Sequence, residues 1–236
     1  MLGVAGSCGT VTGEIGSMIL SDRREFVFIH NPKCGGTSVR EELMQFDTTS
    51  DFFWMYDDLN GATIDKAHLP LFIFKKKYPE YFQLLDKYFT FIFVRNPYAR
   101  IVSGFIQNNL ELIEAPFTPE REQVYRQRLN DFIRDMSHRS LTGLQIEFRH
   151  FVRQIDLVYI GKKSFVDLVM KLEEWPKCLV KLRSFLPDVA DLLENAEKRN
   201  VNAVVRDAMN DLTPESIKKI NILYRSDFDV FGYDML

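Results

Sequence analysis

Lys33, Cys34, Gly35, Gly36, Thr37 and Ser38 follow closely on the apolar run Phe26–Ile29. A glycine-rich turn lets backbone N–H groups converge on an anion, and a helix N-terminus behind it adds the positive end of its dipole. Lys33 brings a point charge to the mouth of this turn, and Thr37 and Ser38 bring hydroxyls to its exit. That is the build of a phosphate cradle. A second device follows the run Phe89–Val94. Arg95 offers a planar fork that matches a phosphate dianion, and Ser103 sits two turns into the segment behind it. Arg100, three residues before Ser103, shares roughly the same helix face. Two anion devices, each at the carboxyl end of an apolar strand, suggest a nucleotide held at both ends. Taken singly, each also fits a plainer reading: a solvated lysine beside an ordinary turn, or an arginine paired with a neighbouring carboxylate.

Between the two devices lies Asp65-Lys66-Ala67-His68-Leu69-Pro70. Histidine is the side chain best suited to take a proton near neutral pH. On residues alone, His68 reads as an ordinary surface histidine. His150 is its rival as a base, and His30, at the end of the first strand, reads as a structural hydrogen-bonder. Cys34 reads as a small filler in the turn; the alternative is a thiol acidified by Lys33 and the helix end. The run Lys75-Lys76-Lys77 reads as a solvated face, with contact to an anionic acceptor as the alternative. In the common nucleoside-triphosphate loop, GxxxxGK[ST], lysine follows the glycines. Here it precedes them, which weakens a kinase or NTPase reading.

These side chains need a scaffold of alternating strands and helices. Phe26–Ile29 and Phe89–Val94 are short apolar runs of the kind buried on both faces of a parallel sheet. A helix follows Gly36 to about Phe46, with Thr37 or Ser38 as its cap. Residues 47–65 read as a surface segment with little regular structure. Residues 71–88 look helical, interrupted at Pro79. Asn96 and Pro97 mark a helix start that runs to about Leu110, and residues 111–120, with Pro116 and Pro119, read as a loop. The spacing predicts a helix over 120–136, a third strand over 156–161 and a helix over 165–172. Further helices are expected over 175–186, ended by Pro187, and over 214–224, capped by Thr213. Such alternation implies an α/β domain with a parallel sheet and helices on both faces.

The chain of 236 residues is long enough to bury a sizeable core, and 46% apolar with 27% charged residues is ordinary for a globular protein. A net charge of −3 creates no general field for nucleic acid or membrane, so any anion site is local. Three separated cysteines, Cys8, Cys34 and Cys178, suit neither a disulfide framework nor a zinc site. They fit a reducing, cytoplasmic setting. No apolar run approaches the roughly 20 residues of a membrane helix. Residues 1–20 read as a flexible leader before one domain over 21–236, and Met18 is a candidate natural start.

The motifs resemble those of the PAPS-dependent sulfotransferases, in particular the carbohydrate-sulfotransferase-like branch (PAPS is 3′-phosphoadenosine 5′-phosphosulfate). The stretch from Phe28 to Ser38 resembles their first motif, roughly F-I-x-x-P-K-x-G-x-T-S. The stretch from Phe91 to Ser103 resembles their second, roughly F-x-F-V-R-[DN]-P-[WYF]-x-R-[LI]-V-S. The segment from Tyr224 to Tyr233 resembles their Y-x-x-D-F-x-x-F-G-Y close, and 158–162 a V-G-R-type segment. Lys66 to Pro70 resembles a K-T-H-L-P stretch whose histidine is the base in small-molecule members. Cys34 departs from the usual Thr or Val, and Ser164 stands where a glutamate often follows the V-G-R segment.

The resemblance implies a three-layer, nucleotide-kinase-like P-loop fold with a parallel sheet of about four or five strands and ligands at the strands' carboxyl ends. It implies that Lys33 through Ser38 hold the 5′-phosphosulfate and that Arg95 and Ser103 hold the 3′-phosphate. It makes His68 the base, assisted by Lys33 and Lys66, with 3′,5′-adenosine bisphosphate leaving and no metal required. The acceptor implied is a hydroxyl, on a carbohydrate or glycoconjugate. The alternatives are a P-loop kinase using ATP and magnesium, and a non-catalytic PAPS- or glycan-binding module.

Overall fold

The computed structural model describes residues 18–50, 52–112, 118–197 and 208–236. The strands in chain order are β1 (Ile19–Ser21), β2 (Phe26–Ile29), β3 (Tyr56–Leu59), β4 (Ala62–Asp65), β5 (Phe89–Val94), β6 (Tyr159–Ile160), β7 (Lys163–Ser164) and β8 (Leu168–Lys171). The first helices are α1 (Gly36–Leu43), α2 (Leu71–Lys77), α3 (Pro79–Phe82), α4 (Pro97–Asn108) and α5 (Pro119–Asp135). They are followed by α6 (Trp175–Arg183), α7 (Pro187–Glu197), α8 (Ala208–Asp211), α9 (Pro214–Leu223) and α10 (Arg225–Phe231).

Among the described residues, the central sheet has four strands in the order β1-β2-β5-β8. β2, β5 and β8 are parallel, and β1 pairs antiparallel to β2 at the edge. Side chains alternate between the faces of a strand, and the two faces have separate cores. Phe26, Phe28, Phe91, Phe93 and Met170 pack under α1, α6 and α7, against Val39, Leu43, Leu179, Leu182 and Leu193. Val27, Ile29, Ile92 and Val94 pack on the other face, against Leu71, Ile73 and Phe74 of α2. A third cluster joins α4, α5, α9 and α10 around Phe105, Tyr125, Leu129, Ile220 and Phe228. The three-layer α/β arrangement expected from the alternation is the one observed. Among the described residues, no helix is long and apolar enough to cross a membrane.

Several elements differ from expectation. The third parallel strand is Leu168–Lys171, inside the stretch with helical spacing, whereas 156–161 holds a 3₁₀ turn and one edge of a two-residue hairpin. Tertiary pairing overrides the local pattern: Asp167 exchanges bonds with Thr90, its carboxylate accepting from Thr90 N at 2.8 Å and its own N–H donating to Thr90 O at 2.9 Å. The segment 47–65 contains the β3–β4 hairpin. Its turn residues, Asn60 and Gly61, have φ of 55° and 81°, the left-handed pair that a tight hairpin turn needs. The leader expected over 1–20 reaches into the fold, because Met18, Ile19 and Leu20 are buried and Ile19–Ser21 forms β1. Pro187 does not only close α6; it opens α7. Residues 1–17, with Cys8, and residues 113–117, with Pro116, lie outside the described residues.

Candidate active site

At the end of β2 the chain turns through His30, Asn31, Pro32, Lys33, Cys34 and Gly35 into α1. Gly35 caps the helix in the left-handed conformation, φ 74°, with no side-chain cap. Thr37 and Ser38 therefore sit inside the first turn rather than capping it, and both are partly exposed. The first N–H groups of α1 have no carbonyls within the helix to bond, the feature that anion sites at helix starts use. Lys33 is also left-handed, with φ 64°. For a residue with a Cβ this costs roughly 1–2 kcal/mol, a strain of the kind found at functional turns. Gly36 is required for a different reason. A Cβ there would lie 1.8 Å from His30 Cδ2 and 1.9 Å from Nε2, so the imidazole occupies the space a side chain would take.

Cys34 is fully buried, its Sγ 3.5 Å from Pro32 O and from Gln154 Oε1. Burial pushes its thiol up to about 12, against the lowering influence of Arg100 and Arg95. At neutral pH it is a protonated filler, not a reactive thiolate.

β5 delivers Arg95 beside this turn. Arg95 Nη1 donates to Lys33 O at 3.1 Å, so both anion devices share one contact. Asn96 caps α4, its Oδ1 accepting from Tyr98 N at 3.0 Å, and Pro97 occupies the first helical position. α4 carries Ser103, partly exposed, and Gln107, whose Oε1 accepts from Lys33 Nζ at 3.5 Å. The end of β8 closes the third side, where Glu173 accepts from Asn96 N at 2.7 Å and from the Tyr233 hydroxyl at 2.9 Å.

His68 enters on a 3₁₀ turn, Lys66–His68, capped by Asp65, whose Oδ1 accepts from Ala67 N at 2.9 Å. Its ring lies 4.7 Å from that of His30 and 5.4 Å from that of His150. All three imidazoles are buried. His150 is oriented by Asn108, with Nδ1 and Oδ1 3.2 Å apart. Burial holds His68 down to about 3 and His150 down to about 2. The Arg149 and Lys33 charges push both the same way, and hydrogen bonding to the His30 backbone opposes the shift at His68. Both rings are therefore neutral at pH 7. Nδ1 of His68 is buried with no hydrogen-bond partner. Lys66, expected to assist, is buried with Nζ 3.9 Å above the Phe52 ring. Of the lysine run, Lys77 pairs with Asp57 at 2.9 Å and Lys75 lies over Phe82.

The segment from His150 to Ile155 has no regular ladder, yet it lies at the centre of the site. Its backbone is held by side chains from far along the chain. Arg100, buried, donates to His150 O at 3.2 Å and to Val152 O at 2.6 Å. The Tyr224 hydroxyl donates to Phe151 O at 2.6 Å. Asp227, also buried, accepts from Gln154 N at 3.0 Å and Ile155 N at 2.9 Å. Burial raises the pKa of Asp227 and the Arg100 charge opposes the rise. Arg100, three residues before Ser103 on α4, thus braces this segment. Neither Arg149, 3.5 Å from Asp65, nor Gln154 was singled out by the sequence; the adjacency of Arg149 to His150 is the signal that could have found the first, and Gln154 has none.

The chain matches the model described as the sulfotransferase family over residues 17–234. No match was found among the curated proteins or among the solved structures. The matched span holds both anion devices, the histidine cluster and the closing Tyr224–Tyr233 segment, and on it the chain belongs to the sulfotransferase family.

Proposed function

We propose that this protein transfers the sulfuryl group of PAPS to a hydroxyl of a carbohydrate or glycoconjugate acceptor. One observation carries the reading: two cationic devices, Lys33 and Arg95, share a contact in a left-handed turn, and buried neutral imidazoles adjoin that turn. The residues fit a phosphosulfate. The α1 N–H groups, Thr37, Ser38 and Lys33 would hold its 5′ end, and Arg95 and Ser103 its 3′-phosphate. When bound, PAPS supplies the sulfuryl group, and 3′,5′-adenosine bisphosphate is released.

The chain's own residues then have distinct tasks. Lys33 holds an ammonium where negative charge grows, a role worth roughly 3–4 kcal/mol by analogy with other preorganised donors. His68, neutral at pH 7, accepts the acceptor's hydroxyl proton. A nearby anion raises the affinity of such a ring for a proton. His150 is the second reading for the base, favoured by the Asn108 contact that fixes its ring. Loss of kcat in His68→Ala but not in His150→Ala decides for His68; the reverse decides for His150.

The donor is tested by calorimetric binding of 3′,5′-adenosine bisphosphate against ATP–Mg²⁺, on wild type and Arg95→Ala. Tight bisphosphate binding that the substitution abolishes is the expected result. Binding of ATP–Mg²⁺ that ignores Arg95 would favour a kinase. Bisphosphate binding without turnover of labelled PAPS across acceptors would favour a non-catalytic module.

A further inference from the structure

Gln154 belongs to neither anion device, yet its amide touches both. Its side chain is completely buried. Oε1 accepts from Asn31 Nδ2 at 2.9 Å, from Arg95 N at 2.9 Å and, more distantly, from Cys34 Sγ at 3.5 Å. Nε2 donates to Arg95 O at 2.8 Å. Asn31 in turn donates to Phe93 O at 3.0 Å. One carboxamide therefore grips both sides of the Arg95 residue and the first turn after β2. Its own backbone N–H is fixed by Asp227.

We propose that Gln154 is a positioning residue for the donor site, setting the distance and angle between the Lys33 turn and Arg95. The inference rests on the donor reading above. The chemistry demands an amide. Arg95 presents an N–H and a C=O to the same side chain, so that side chain must accept at one atom and donate at the other. A carboxylate accepts at both, and a hydrocarbon does neither. Through this bridge the segment bearing His150 also fixes the phosphate devices, which places proton acceptor and anion cradle on one brace.

The test measures the Kd of 3′,5′-adenosine bisphosphate and the kcat and KM for PAPS in wild type, Gln154→Leu and Gln154→Glu. Tyr125→Phe is the control. It removes a buried hydrogen bond from Tyr125 on α5 to Asp211 on α8, outside the site. Gln154→Leu leaves buried partners unsatisfied and should weaken bisphosphate binding about tenfold or more, raising KM more than it lowers kcat. Tyr125→Phe should lower stability without changing Kd. Gln154→Glu supplies a readout that mere packing cannot. Protonated, Glu has the donor and acceptor of Gln; ionised, it opposes Arg95 O. Its Kd relative to wild type should recover as pH falls from about 8 to about 5.5, because burial keeps such a carboxyl's pKa high. If Gln154→Leu does not fold, that pH dependence carries the test. Wild-type binding with Kd unchanged in Gln154→Leu, or a pH-independent ratio in Gln154→Glu, overturns the inference alone. Failure of wild type to bind the bisphosphate sinks the donor reading and this inference with it.

Discussion

The turn from His30 to Gly35 and the segment from His150 to Ile155 both supply the site, and they are held in opposite ways. The turn is shaped by its own chain. Two left-handed residues, a glycine under an imidazole and a helix start set its path within a few positions. The second segment has little local reason for its path. Its carbonyls and N–H groups are satisfied by Arg100 on α4, Tyr224 before α10 and Asp227 within it. A buried polar backbone must be paired somewhere, and here the partners lie 50 to 73 positions away. The local device carries the charge that would meet the donor, and the remote one carries a histidine and the amide that aligns the two.

That contrast is open to test, and the largest effect is expected at the remote brace. Arg100→Ala removes two carbonyl partners and the cation beside buried Asp227, so unfolding free energy should fall by about 3–5 kcal/mol. Urea denaturation at constant m-value measures it; a loss below about 1 kcal/mol would show that the segment is held by packing alone. Lys33→Gly probes the local device in the other direction. It relieves a left-handed residue while removing the ammonium, so stability should hold or rise by up to about 1 kcal/mol. Turnover should fall by roughly 100- to 1,000-fold. A parallel loss of stability and activity would mean that Lys33 is structural.

Gly36→Ala forces a methyl into the His30 ring. A cost of about 1–3 kcal/mol is expected, read as a lowered melting temperature, and largely relieved in the double variant with His30→Ala. An unrelieved double variant would place the strain elsewhere. The gentlest probe is pH. His68 and His150 have folded-state pKa values near 3 and 2, below their unfolded value of 6.5. The unfolded chain therefore binds protons first as pH falls. Stability present above about pH 6.5 should be lost as pH drops towards 3, by at most about 1.4 kcal/mol per histidine per pH unit. Replacing both by glutamine should flatten that slope; an unchanged slope would assign it to other groups.

The legible parts of the site were those whose chemistry and conformation are encoded together. Lys33, Gly35, Gly36 and Arg95 sit where strand, turn and helix signals coincide, and in the structure Arg95 donates to the Lys33 carbonyl. Asn96 and Thr213 were readable as caps because capping is a local act. The β3–β4 hairpin was also encoded locally, in Asn60-Gly61, and went unread because acidic and aromatic residues mask the alternation around it. Leu168–Lys171 was not readable: its spacing suits a helix, and only pairing with β5 makes it a strand. His68 and His150 looked like alternatives along the chain, whereas in space their rings are neighbours.

By itself, the sequence determined the order of the two strand-to-helix turns that carry Lys33 and Arg95, the two buried parallel strands that present them and the apolar patterns that cover both faces of a sheet. These follow from periodicity, glycine conformation and charge, all of which act over a few residues. The tertiary structure alone decided that three imidazoles gather around His68, that burial keeps two of them neutral, and that Gln154 joins the two devices. Those outcomes depend on desolvation and on hydrogen bonds between residues up to 123 positions apart, and no local pattern in the chain records either.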